Sequence, residues 1–104
     1  MENPILNIEW EAGGKLPINA KLAYRCDQGN SSSRIKIYYS NTYNLWRLEL
    51  DFDKDITEHD KLTLETALIN AQQEPGSLVD FKMPSGAVLK SDIPFTQFQT
   101  YNNN

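Results

Sequence analysis

The sequence predicts an α+β domain: a mostly antiparallel, curved β-sheet of about six strands in the order β-β-β-β-α-β-β, packed on one main helix and followed by a short C-terminal helical turn. Three observations carry that expectation. Four stretches before residue 54 alternate apolar and polar residues with the period of two that a half-buried strand imposes. Residues 56–76 carry helix start and stop signals. Glycine- or amide-rich turns separate the alternating stretches at hairpin spacing.

In the first stretch Leu6, Ile8 and Trp10 alternate with Asn7, Glu9 and Glu11; after Gly13-Gly14, the run from Lys15 to Cys26 sets Leu16, Ile18, Ala20, Leu22, Tyr24 and Cys26 on one face. Pairing Glu11 with Lys15 leaves Ala12-Gly13-Gly14 as a three-residue loop with a glycine in the left-handed position, and brings Trp10 to Leu16 and Ile8 to Ile18. Pro17 has no amide hydrogen, so it belongs at a non-bonded position on a sheet edge. Parity places Cys26 with Leu22 and Tyr24 on the apolar face, where a thiol is a poor nucleophile.

The segment DQGNSSS, residues 27–33, has no apolar residue and reads as a connecting loop. The stretch RIKIYYSNTYNLWRLELDFD, residues 34–53, then gathers five aromatic residues. A loop at residues 41–44 pairs Ser40 with Leu45, so that Ile35 faces Leu50, Ile37 faces Leu48 and Tyr39 faces Trp46, while Lys36 meets Glu49 and Arg34 meets Asp51 on the other side. One register satisfies the apolar pairs and the charge pairs together, which makes most of these aromatics core. Tyr38 and the loop residue Tyr43 remain as candidate exposed contacts.

In the helix, Thr57 is the expected N-cap with Asp60 three residues on, and Pro75-Gly76 stops it. At about 100° per residue, Leu64, Ala67, Leu68 and Ala71 share one side while Leu62 and Ile69 lie nearly opposite, which makes those two candidate partner contacts. A last hairpin, LVDFKM–PSG–AVLKS, would set Phe81 beside Leu89 and Asp80 beside Lys90. Phe95, Phe98 and Tyr101 at intervals of three predict the C-terminal helical turn, with a frayed polar tail at 102–104. All of this fits one domain spanning residues 1–104.

Function is bounded mainly by exclusion. Ten basic against 14 acidic residues give a net charge of −4, whose field repels phosphate backbones, so direct nucleic-acid binding is not expected. No signal-peptide pattern opens the chain and no apolar run is long enough to span a bilayer; with one unpaired Cys26, the expectation is a cytoplasmic protein without membrane contact. Asp51, Asp53 and Asp55 take the first, third and fifth positions of a calcium loop, but Ile56 and Leu62 stand where that loop needs glycine and a bidentate glutamate. No metal, cofactor or catalytic set emerges: one His and one Cys make no zinc site, and His59 has no evident orienting partner.

The expectation is therefore a non-enzymatic protein-interaction module, such as an inhibitor, immunity, adaptor or assembly factor, acting on another protein or on a second copy of itself. Tyr38, Tyr43, Leu62 and Ile69 are its candidate contacts. The alternative is an acidic mimic of nucleic acid that blocks a DNA- or RNA-handling protein through Asp51, Asp53 and Asp55. A small enzyme working through carboxylates is the least supported reading.

Overall fold

The period-two stretches do become strands. The computed structural model describes residues 3–29, 31–40, 45–74, 76–90 and 95–99. It holds β1 (Ile5–Glu9), β2 (Lys15–Asn19), β3 (Ala23–Gln28), β4 (Arg34–Ser40), β5 (Leu45–Asp51), α1 (Glu58–Ala71), β6 (Leu78–Phe81) and β7 (Phe95–Gln99). The class is α+β, with the strands in two mostly antiparallel sheets: a three-stranded one in the order β2-β1-β6 and a four-stranded one in the order β3-β4-β5-β7.

The β4–β5 pairing has the expected register throughout, from Arg34 opposite Asp51 to Ser40 opposite Leu45. Its connecting loop, with Tyr43, lies outside the described residues. The β1–β2 hairpin keeps the expected faces but is offset by two residues: Glu9, not Glu11, faces Lys15, and Ile8 faces Leu16. Trp10 explains the offset, because its indole lies where a Cβ on Gly14 would be and only glycine leaves that space; Gly13 takes the left-handed conformation with φ 93°. The loop therefore begins at Trp10, whose N–H donates to the Gly14 carbonyl and whose carbonyl accepts from Gly13.

The segment expected as one strand from Lys15 to Cys26 is two strands. Leu22 adopts φ 72°, a left-handed conformation that costs a non-glycine residue about 1–2 kcal/mol, and turns the chain between β2 and β3. A register irregularity between Ala23 and Arg25 follows. Each irregularity shifts the parity, so Ala20, Ala23 and Cys26 are buried while Leu22 and Tyr24 are exposed, against the expectation for those two.

Two later elements also differ. β6 does not fold back on residues 87–90; it runs parallel to β1, with Ile5 opposite Leu78 and Ile8 opposite Phe81. The expected Pro84-Ser85-Gly86 turn does form, closed by the Gly86 N–H on the Met83 carbonyl, but it returns the chain to a position between the sheets. There Leu89 bridges Trp10 on one side and Phe52 on the other: its own backbone bonds Glu9 and Glu11, while its neighbours Lys90 and Val88 bond Asp51 and Asp53. Residues 95–99, expected as a helical turn, form β7 antiparallel to β5, with Phe95 opposite Glu49 and Phe98 opposite Trp46. The polar tail lies outside the described residues.

α1 starts as the sequence demands. Thr57 accepts from the Asp60 N–H at 3.0 Å while the Asp60 carboxylate accepts from the Thr57 N–H at 3.1 Å, a reciprocal capping box. The helix packs chiefly along β3. Its inward residues Leu64, Leu68 and Ala71 join Leu6, Ile8, Cys26, Ile35, Ile37, Leu50, Phe52 and Leu89 in one buried cluster.

Candidate functional site

The helical period that buries Leu64, Leu68 and Ala71 turns Leu62 and Ile69 outward, where they are 50% and 40% exposed. They are seven residues apart and so lie on one line of the helix surface. Beside that line, His59, Leu62, Thr63, Thr66, Ala67 and Asn70 bound a shallow, open depression. The Thr63 hydroxyl is occupied, donating to the His59 carbonyl at 2.7 Å.

The acids that the mimic reading relies on are tied into their own chain. Asp51 lies 3.6 Å from Arg34 and accepts from Ser33 at 3.4 Å; Asp53 accepts from the Val88 N–H at 3.0 Å; Asp55 accepts from the Ser32 hydroxyl at 2.6 Å. The bonds to Ser33, Val88 and Ser32 fasten neighbouring loops to the end of β5 and the segment that follows it. Asp60 is fully buried and also accepts from the Ser85 N–H at 2.9 Å, so it links the start of α1 to the turn at 84–86. Burial alone would raise its carboxyl, but hydrogen bonds from Ser85 and Thr57 outweigh that and hold it below the usual carboxylate range.

Tyr38 stands on the outward face of β4 within a small aromatic and cationic cluster. The Arg25 guanidinium lies 4.6 Å from the centre of its ring, and the Tyr24 ring is 6.3 Å away at 45°. Arg25 also pairs with Asp27 at 2.8 Å. The same face holds a buried carboxylate: Glu49 is 3% exposed, with Arg47 at 3.4 Å and Arg34 at 3.8 Å. The alternation of charge along residues 34–51 could have announced that cluster. Tyr24's place in it could not be read, because it depends on the irregularity in β3.

Cys26 is buried, and burial, with Glu65 and Asp27 adding to it, pushes the thiol pKa up to about 12, which leaves it a poor nucleophile. No group of three or more His, Cys, Asp or Glu side chains is arranged to hold a metal ion among the described residues. No helix among them is long and apolar enough to cross a membrane.

Sequence pattern missed one exposed feature altogether. β6 is an edge strand, and Leu78 and Val79 are 72% and 41% exposed. The structure thus keeps Leu62 with Ile69 on the helix, Asp51, Asp53 and Asp55 at the end of β5, and Tyr38 beside Arg25. No family model, no curated protein and no solved structure matches this chain.

Proposed function

We propose that this chain is a non-enzymatic protein-interaction module, an inhibitor, immunity, adaptor or assembly factor working in the cytoplasm, that holds its partner through the outward face of α1. One observation carries the reading: Leu62 and Ile69 keep a large part of their apolar surface in water, on one line of a helix whose other face is fully committed to the core. An apolar line flanked by small polar side chains is the surface that a groove or a second helix on a partner buries. The acidic-mimic reading has weaker support, because Asp51, Asp53 and Asp55 each spend hydrogen-bonding capacity on their own chain.

The double variant Leu62→Glu, Ile69→Glu tests the reading. Both side chains are exposed, so the variant is expected to keep its circular dichroism and its melting temperature within about 3 °C. Capture of the wild-type chain's partner from native lysate should be lost at both low and moderate salt, since an apolar contact is little screened. A folded double variant that retains every wild-type association overturns the proposal. Capture that survives the double change but collapses with salt would move the site to the acids.

A further inference from the structure

We infer that the open edge of β6 is a self-association surface on which a second copy of this chain pairs antiparallel, Asp80 of each copy facing Lys82 of the other. The inference is independent of the helix face proposed above. It starts from which edge each backbone group of the three-stranded sheet serves. The Trp10 N–H donates to Gly14 and the Ala20 N–H to Pro4, so the even-numbered residues of β1 bond β2. The Ile5 N–H donates to Ser77, so the odd-numbered residues of β1 bond β6. By the alternation of a parallel ladder, the peptide groups of Ser77, Val79 and Phe81 point to β1 and those of Leu78 and Asp80 point away from it; the ladder ends at Phe81, and the same alternation carried one residue further turns Lys82 outward. Among the described residues, nothing bonds those outward groups.

An exposed edge usually invites any strand, and charges on it usually forbid most of them. Here the charges select one partner. Asp80 and Lys82 are two residues apart and so fall on the same face. Two-fold pairing of β6 with itself has three registers that set at least two of the outward residues Leu78, Asp80 and Lys82 against those of the second copy. Centred on Asp80, it sets the two Asp80 carboxylates against each other; centred on Val79, it sets Asp80 against Leu78. Centred on Phe81, it places both Asp80–Lys82 pairs opposite one another, adds backbone bonds between those same residues and puts the two Phe81 residues side by side.

Only the last register matches charge with charge, and it does so twice because the interface is isologous. Asp80 already meets Lys15 at 2.8 Å and Asn7 at 3.4 Å, but a carboxylate has about four lone-pair sites and keeps room for a second cation. The product is a continuous six-stranded sheet in the order β2-β1-β6 and, across the axis, β6-β1-β2.

Sedimentation velocity of the full chain from about 10 µM to about 1 mM covers the range that a small interface occupies. The wild type is expected to dimerise within it. Asp80→Lys and Lys82→Asp each set like charges across the axis and should raise the dissociation constant by about tenfold or more. An equimolar mixture of the two variants restores both opposite-charge pairs and should recover association as a heterodimer. Leu62→Glu, Ile69→Glu should dimerise like the wild type, so failure of the helix-face reading leaves this result standing. Should Asp80→Lys fail to fold, hydrogen exchange decides on the wild type alone: the Asp80 and Lys82 amides should slow as concentration rises. A wild type that stays monomeric throughout, single variants that associate as well as wild type, a folded mixture that stays monomeric, or exchange at those amides independent of concentration would each overturn the inference.

Discussion

The edges formed by β3 and β6 are finished in opposite ways. At β3, α1 supplies the missing partners: Glu65 accepts from the Cys26 N–H at 3.2 Å, and the Gln72 amide donates to the carbonyls of Ala20, at 2.7 Å, and Ala23. At β6, Leu78 and Val79 face water and no described residue reaches the outward peptide groups. A helix that caps one strand with its own side chains spends its inward face there, and it leaves the other sheet's edge to something else. Stability should therefore concentrate at the seam between α1 and β3 and be nearly indifferent to the outer surface of β6. Three substitutions probe that contrast.

The largest effect is expected from Asp60→Ala. The carboxylate is fully buried and serves the Thr57 and Ser85 amides, so its removal leaves two donors without their acceptor and frees the start of the helix that covers β3. Loss of a cap with a buried unsatisfied donor costs about 3 kcal/mol, to be read from urea denaturation. The acid dependence carries the same signature. Because the folded carboxyl is held below its ordinary value of about 3.9, its contribution is fully present above that pH and fades as pH falls through the lowered folded value. Asp60→Asn should remove that part of the acid slope. An unchanged slope would show that the seam is anchored elsewhere.

An intermediate effect is expected from Gln72→Ala. One side-chain amide satisfies two carbonyls at the turn into β3, so its loss should cost about 1–2 kcal/mol. Local opening should also increase: labelling of Cys26 by a thiol reagent, slow in the wild type because the thiol is buried, should accelerate. Unchanged labelling with unchanged stability would mean that helix packing alone closes that edge.

The same contrast marks what could be read in advance. The β4–β5 register was legible because both faces carry independent information, apolar on one and charged on the other, and a slip by one residue would spoil both. The run into β3 was not, because counting by twos assumes an unbroken strand. Leu22 at positive φ and the irregularity after Ala23 each shift the count. Cys26 returns to the buried face only because the two shifts cancel, while Tyr24, lying between them, does not. The parallel pairing of β6 with β1 joins residues 73 apart in sequence, such as Asn7 and Asp80, and no local signal announces it. The turn chemistry at Pro84-Ser85-Gly86 pointed instead to a local hairpin. On the helix, by contrast, a single unbroken period was enough to set Leu62 and Ile69 opposite the inward residues, although only the structure shows that nothing wraps round to cover them among the described residues.

The smallest effect is expected from Leu78→Thr, and its smallness is the informative part. Leu78 is 72% exposed, sits opposite Ile5 on the outward face of the sheet, and is replaced by a β-branched residue suited to a strand. Little apolar surface leaves the core, so monomer stability in urea at low protein concentration should change by no more than about 0.5 kcal/mol. A loss near 2 kcal/mol would require Leu78 to be buried against another part of the chain, and β6 would then be a closed edge like β3. A small loss in the monomer, joined to the absence of the rise in midpoint with protein concentration that the inferred wild-type dimer should show, would place the missing burial between two copies, since a dimer is stabilised by mass action and an isolated chain is not.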